Sequence, residues 1–479
     1  LAAAASGSAT LTVPATDIGE DPMTRLFHAC PFCTIAPPHI LRRLVEAGGP
    51  AEREAASRTL DMTRQLRTAR MRAMALGAPA VPVEAALLGR RVSGARSTYD
   101  ADHRTRLPGR LVRGEADGAS GDPAVDEAHD YAGITRDFLR QVFRRRSLDG
   151  RGMALASTVH FDRDYDNAFW DGGQMVYGDG DGQVFQRFTL CLDVIAHEFA
   201  HGITQFTSNL VYFEQPGALN EHFSDVIGCL VKQWHLGQDA KDADWLIGAG
   251  LLVPGINGNA LRSMSAPGTA YDDPLIGRDP QPAHMRDLYH GTEDQGGVHI
   301  NSGIPNRVFW RVATEFGGQA WGTAGQVWWS AFTTMLNARA SFADAARATI
   351  AAAGTIAGTR AASVVRAAWQ EAGVRVPAGA RVAAGSPAGA PARPAATTGR
   401  RAKAAKPAGG RAAKPAKRVA AKVAKAAKRT MGKVAGPAKR SMGKPAKRAA
   451  GAVKTAHLPT AAKRGAARGG KPAAPRPTR

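Results

Sequence analysis

Two histidines four residues apart, with a glutamate beside the first, place the tightest constraint on this chain. The segment DVIAHEFAHGIT (193–204) carries His197, Glu198 and His201 in an apolar stretch whose spacing predicts a helix over 188–206. On a helix, residues i and i+4 share a face with Cβ atoms about 6 Å apart. Two imidazoles converging this way suit tetrahedral Zn²⁺. Glu198 then lies close enough to act as base toward a water polarised by the metal. The bland alternative is a solvated helix face that happens to hold two histidines.

A catalytic zinc needs a third protein ligand. The segment ALNEHFSD predicts a second helix over 219–234, beginning near Asn220, and offers Glu221 for that role. Asp225, one turn on, can accept the second ring N–H of a liganding histidine; taken alone, Glu221 reads as an exposed carboxylate and Asp225 as an N-terminal acid complementing the helix dipole. A third cluster, EDQGGVHINSGIPN (293–306), sets Asp294 near His299. An aspartate there can hold the imidazole charged, as a donor to a developing oxyanion. Taken alone, His299 reads as an ordinary structural histidine.

Charge divides the chain. Of 63 Lys and Arg, 27 lie in residues 377–479, which contain no Asp or Glu. The remaining 36 face all 41 acids, so residues 1–376 carry a net charge of −5. The basic segment repeats PAKR and KR(T/S)MGK and has no aromatic residue. It cannot bury enough apolar surface to offset ordering entropy and is expected to be disordered. Its charge suits sequence-independent contact with nucleic acid or another polyanion. Four cysteines exclude a disulfide scaffold. There is no run of 18 apolar residues, so no membrane span is expected. Residues 1–10 make a poor secretion signal.

Strand character is read at 110–113 and 153–161, helix at 39–47, 51–85 and 124–146, loop at 162–182, irregular chain at 237–295 and helix again from 301 to 373. A β-containing first half followed by a helical second half predicts two dissimilar lobes.

Five segments occur in a characteristic order: DNAFWDGGQMVYGDGDG (166–182), DVIAHEFAHGIT (193–204), LVYFEQPGALNEHFSD (210–225), ALRSMSAPG (260–268) and GGVHINSGIPN (296–306). With them the chain resembles the thermolysin family of zinc metalloproteases, in its protealysin-like branch. The resemblance implies an α+β fold of two lobes, a mixed β/α N-terminal lobe (80–208) and a mostly helical C-terminal lobe (209–376), with the active-site cleft between them. It implies zinc on His197, His201 and Glu221, Glu198 as general base, and Tyr212 and His299 stabilising the oxyanion with Asp294 orienting His299. Asn220 and Asp225 would support the ligand histidines. Asn167, the Ala168 carbonyl and Arg262 would grip substrate backbone. Phe185, Val194, Ile247 and Leu261 would wall a pocket favouring cleavage before a bulky apolar residue.

Residues 22–75 resemble a short inhibitory propeptide with its linker, Pro37-Pro38 included, behind a loose leader at 1–21. Cys30 and Cys33 are either reduced thiols, a local disulfide, or a thiolate cap on the zinc. Cys191 and Cys229 read as buried core thiols. Calcium is doubtful. Asp193 and Asp244 fit family calcium positions, but Lys232, Leu246 and Ala249 stand where partner acids are expected. The expected protein is a monomeric, secreted zinc endopeptidase made as a zymogen, with a cytoplasmic location as the alternative. The rival reading is a polyanion-associated protein with an inactive protease fold. Every ligand, base and oxyanion donor is present, which favours the enzyme.

Overall fold

The computed structural model describes residues 32–75 and 94–376. The leader, Cys30 and the basic tail at 377–479, with the polyanion contacts expected of it, lie outside the described residues.

The N-terminal lobe is built on a six-stranded sheet in the order β1-β5-β6-β4-β2-β3. Its strands are β1 (Cys33–Thr34), β2 (Arg96–Asp100), β3 (Arg110–Gly114), β4 (Leu155–Val159), β5 (Ala168–Trp170) and β6 (Met175–Tyr177). β2, β4 and β6 run parallel, while β3, β5 and β1 pair antiparallel with their neighbours. β4 is buried on both faces, as its continuous apolar and small-residue sequence requires. The segment 162–182, read as loop from its Asp and Gly content, contains β5 and β6. Each is a three-residue apolar triplet, too short for its alternation to stand out.

Helices α1 (Pro38–Ala47) and α2 (Pro50–Ala75) follow β1. Helix α3 (Pro123–Val142) starts where the sequence supplies both devices. Asp122 caps the Ala124 and Val125 amides, and Pro123 fills the first turn, where no N–H is needed.

Helix α4 (Leu192–Gln205) carries the His-Glu-x-x-His segment, and α5 (Glu214–Leu236) packs along it. Gly228 allows that approach, since a Cβ there would stand 2.5 Å from the Asp193 carbonyl oxygen. α5 begins at Glu214, a turn and a half before the expected start at Asn220. The later start rests on the capping propensity of Asn220; Pro216 falls in the first turn, which tolerates proline. Asn220, Glu221 and Asp225 therefore lie inside the helix and are buried, so the exposed-carboxylate reading of Glu221 and the dipole reading of Asp225 both fall.

Beyond α5 the chain is mostly irregular, with two short ribbons: β7 (Leu246–Ile247) with β8 (Arg262–Ser263), and β9 (Asp272–Asp273) with β10 (Gly277–Arg278). Helices α6 (Asp294–Asn301), α7 (Gly303–Phe316), α8 (Thr323–Thr334) and α9 (Phe342–Glu371) complete the helical lobe.

α9 is long and apolar enough to cross a membrane by length and composition alone. Its backbone breaks at Gly358 (φ 81°). Trp369 Nε1 donates to Thr349 Oγ1 at 2.8 Å, although twenty residues of straight helix would separate them by about 30 Å. The element is thus a folded-back hairpin with Val365 and Trp369 buried. Neither arm reaches the roughly 20 residues a bilayer core demands.

Candidate active site

α4 and α5 bring His197, His201 and Glu221 together, and all three side chains are fully buried. One ligand atom from each lies within 4.8 Å of the others. His197 Nε2 is 3.1 Å from His201 Nε2, and these nitrogens lie 3.4 and 3.5 Å from the Glu221 carboxylate oxygens.

The outward-facing nitrogens are already engaged. His197 Nδ1 donates to Asp225 Oδ1 at 2.9 Å, and His201 Nδ1 donates to Asn220 Oδ1 at 2.9 Å. That fixes the tautomers and leaves two Nε2 lone pairs aimed at each other. Both Glu198 oxygens and Glu221 Oε2 are buried without a hydrogen-bond partner. Converging lone pairs beside orphaned carboxylate oxygens are what a divalent cation would satisfy, so the donor set fits zinc.

The electrostatics agree. Burial drives His201 down to about 3, keeping it neutral. Burial, with the nearby charge of Glu221, pushes the Glu198 carboxyl well above its ordinary range. Burial would also raise Glu221, but His299 and the ligand histidines hold it well below.

Asp225 is the most fully partnered acid of the site. It accepts from His197, from Arg262 through Nε (2.9 Å) and Nη2 (2.8 Å), and from Asn306 Nδ2 (2.8 Å). Asn306 was not singled out from the sequence. A polar residue inside the apolar face of α7 was the available signal. Ser224 was missed as well; its Oγ lies 3.1 Å from His201 Nδ1.

His299 stands opposite the metal ligands. Its Nδ1 donates to Asp294 Oδ1 at 2.6 Å, and its backbone N–H to Asp294 Oδ2 at 2.8 Å. Burial lowers the imidazole, but Asp294 and Glu221 more than reverse this and push it up to about 9. The loop that aims it runs through left-handed Asp294, Gln295, Gly296 and Gly297. A Cβ on Gly297 would come 2.5 Å from the Tyr289 ring, so glycine is obligatory there. The Tyr212 hydroxyl donates to Glu221 and lies 3.3 Å from His299 Nε2.

The cleft holds the chain's own residues 32–36. β1 lies antiparallel on β5, with Cys33 opposite Trp170 and Thr34 opposite Phe169. His299 Nε2 donates to the Thr34 carbonyl at 2.6 Å. The Ile35 amide donates to the Ala168 carbonyl at 3.2 Å, and Arg262 Nη1 donates to the Ile35 carbonyl at 3.0 Å. Asn167 takes both polar groups of Ala36, accepting from its amide (2.9 Å) and donating to its carbonyl (3.4 Å). Ile35 is fully buried in the same core cluster as Phe185, Val194, Ile247 and Leu261. Residues 34–36 are thus bonded by His299, the Ala168 carbonyl, Arg262 and Asn167.

Cys33 decides among the three readings of its thiol. It is disulfide-bonded and buried with Tyr212 and Val298. A sulfur held in a disulfide has no thiolate to offer a metal, and the backbone carbonyl of Thr34 is what faces His299. Cys191 and Cys229 are free and buried.

The presumed calcium region is also filled from within. Lys232 Nζ lies 2.9 Å from both Asp193 and Asp244 and donates to the Leu246 carbonyl at 2.6 Å. Burial would strip its proton, but the two aspartates hold the ammonium charged.

Residues 88–205 match the thermolysin metallopeptidase catalytic domain, and residues 208–374 match the α-helical domain of the same peptidases. An extracellular metalloprotease of Pectobacterium carotovorum subsp. carotovorum is 51% identical over 299 residues, 62% of this chain and 84% of that protein. The chain belongs to the thermolysin family. It is a metallopeptidase of the zinc-dependent type. A thermolysin of Alicyclobacillus acidocaldarius subsp. acidocaldarius is 42% identical over 53% of this chain, which spans only 46% of that longer relative. Among solved structures, the precursor of protealysin, a metalloproteinase from Serratia proteamaculans, aligns with a TM-score of 0.64 at 48% identity, covering 72% of this chain and all of that one. The family's mixed β lobe and helical lobe are the architecture described above.

Proposed function

We propose that this chain is the zymogen of a secreted zinc endopeptidase. The observation that carries the reading is the Thr34–Ile35 peptide, held across the three-residue ligand set by the groups a substrate would need. Residues 22–75 act as the inhibitory propeptide, and 80–208 and 209–376 as the two catalytic lobes. Secretion is supported by relatives named as extracellular proteases.

His197, His201 and Glu221 hold the zinc. When bound, the metal supplies Lewis acidity toward a water and the scissile carbonyl. Glu198 takes the proton from the attacking water, a task suited to a carboxylate whose proton affinity is raised, and delivers it to the leaving amine. His299 donates Nε2–H to the oxygen that gains charge, with the Tyr212 hydroxyl beside it, and Asp294 keeps His299 cationic. Asp225 and Asn220 orient the ligand histidines.

Asn167, the Ala168 carbonyl and Arg262 grip backbone on the leaving-group side of the bond. They take Ile35 and Ala36 as a substrate's first and second residues after the cut. Ile35, an apolar side chain among Phe185, Val194, Ile247 and Leu261, is the model for the preferred residue there. Burying such a side chain contributes about 1.5–3 kcal/mol to binding. Between Asp193 and Asp244 the Lys232 ammonium takes the place of a calcium ion.

Casein hydrolysis after release of the N-terminal segment tests the proposal. Wild type should be active and chelator-sensitive, and Glu198→Gln inactive with zinc still bound. Equal, chelator-insensitive activity in both forms overturns the mechanism.

A further inference from the structure

A second group of metal-ligating side chains lies in the N-terminal lobe, outside the catalytic cleft. His103 follows β2, His160 follows β4, and Asp179 follows β6. One ligand atom from each lies within 4.8 Å of the others. His160 Nδ1 is 2.9 Å from Asp179 Oδ2, and His103 Nδ1 is 3.6 Å from the same oxygen. Donor atoms around a tetrahedral zinc with bonds near 2.1 Å stand about 3.4 Å apart. The two separations from Asp179 bracket that spacing, all three donors fall within 4.8 Å of one another, and the His103 side chain is half exposed.

A fourth residue makes the arrangement more than a chance cluster. His160 Nε2 donates to Asp122 Oδ2 at 3.0 Å. That hydrogen bond holds one ring proton on Nε2, so a cation needs to replace only the Nδ1 proton, now shared with Asp179 at 2.9 Å, to give the carboxylate–histidine–metal arrangement. Asp122 is itself immobilised, because its other oxygen caps α3 through Ala124 and Val125. The backbone fixes the second histidine. His103 N–H donates to the His160 carbonyl at 2.9 Å, and Asp162 N–H donates to the Arg104 carbonyl at 3.2 Å. These bonds hold the two imidazole rings 5.5 Å apart.

We infer that His103, His160 and Asp179 form a structural site for a borderline divalent cation such as Zn²⁺, with Asp122 as the carboxylate that orients His160. Two imidazoles and one carboxylate favour zinc over the all-oxygen shell that calcium requires. The ion would cross-link, through side chains, the ends of three neighbouring strands, β2, β4 and β6. The segment after β6, 178–182, supports the substrate-facing edge: Gly180 N–H donates to the Tyr165 carbonyl at 3.3 Å, and Asp181 N–H to Asp166 Oδ1 at 2.8 Å, next to Asn167. The field of Asp179 and Asp122 that pushes His160 up to about 9 against its burial also attracts a dication, which would displace the proton from Nδ1.

The test is metal content of the full chain after dialysis against buffered micromolar zinc. Wild type should hold two zinc ions, His103→Ala one, and His103→Cys, which restores a zinc ligand, two. His103 is half exposed, so its replacement leaves the core intact. Added zinc should raise the Tm of wild type by about 5 °C more than that of His103→Ala at a hundredfold excess over the Kd of this site. Equal zinc content in wild type and His103→Ala overturns the inference, as does an equal thermal response. The difference between the two forms reads this site alone, whatever the ligands on α4 and α5 hold.

Discussion

Acidic side chains converge at two places along the paired helices α4 and α5, and they are neutralised in opposite ways. At Asp193 and Asp244 the counter-charge is internal: Lys232, on α5, reaches both carboxylates and a carbonyl. One turn further along α4, His197 and His201 face Glu221 and Glu198, and no lysine or arginine is bonded to either glutamate among the described residues. The first site is complete as folded. The second leaves lone pairs and carboxylate oxygens unanswered. A carboxylate cluster needs a metal when the fold has withheld a cation from it, and this chain applies both solutions a few ångströms of helix apart.

Glu198→Gln probes the incomplete site most severely. We expect kcat to fall by about 10²–10⁴, with zinc content unchanged by metal analysis. A loss of zinc instead would make Glu198 a ligand and dissolve the contrast with Glu221. Lys232→Glu converts the complete site into an incomplete one. In calcium-free buffer it should cost about 3–5 kcal/mol in urea unfolding, because it removes the cation from buried Asp193 and adds a like charge. Millimolar calcium should recover part of that loss while leaving wild type unmoved. A wild type stabilised by calcium would break the comparison.

Asp225→Asn keeps the shape of the residue behind His197 but removes its charge. Zinc affinity, measured against a competing chelator, should weaken about 10–100-fold. The mildest test concerns a third acid matched internally. Glu115 is pushed up by burial, yet hydrogen bonds from Arg96 and Arg136 bring it down to about 2 from 4.5. A depressed carboxyl adds stability above pH 4.5 and loses it as pH falls through 2. Glu115→Gln should therefore cost about 1 kcal/mol near pH 6, discounted for solvent screening, with the gap closing between pH 4.5 and 2. A gap that persists at pH 2 would mean packing, not charge, is lost.

The legible parts of this molecule are those whose function enforces a period. His197 and His201 had to share a helical face, and Glu221 and Asp225 likewise, so their spacing announced α4 and α5. Elements without such a demand were harder to read. β2 (RSTYD) carries charge at both ends because it lies near the sheet margin and pairs on one side with the exposed strand β3. β5 and β6 hide in an Asp- and Gly-rich stretch because three residues cannot display alternation. The early start of α5 was missed because Asn220, a residue suited to a helix N-terminus, instead sits inside the helix and accepts from His201 Nδ1. Side-chain partners reached through tertiary contact leave little local trace: Asn306 shows only as a polar residue on an apolar helix face, and the Lys232 bridge not at all. The acids that Lys232 joins lie 39 and 12 residues away in sequence.

The antiparallel seating of β1 on β5 carries a consequence for how such a protein can change. Under the zymogen reading, Asn167, Arg262, His299 and the pocket around Ile35 serve both restraint and recognition. A substitution that reshapes the pocket for a new diet also loosens or tightens the muzzle, and a bystander can be spared only if residues 32–36 change in step. The segment from Phe32 to Ala36 is, in that sense, the enzyme's own record of what it was shaped to bite.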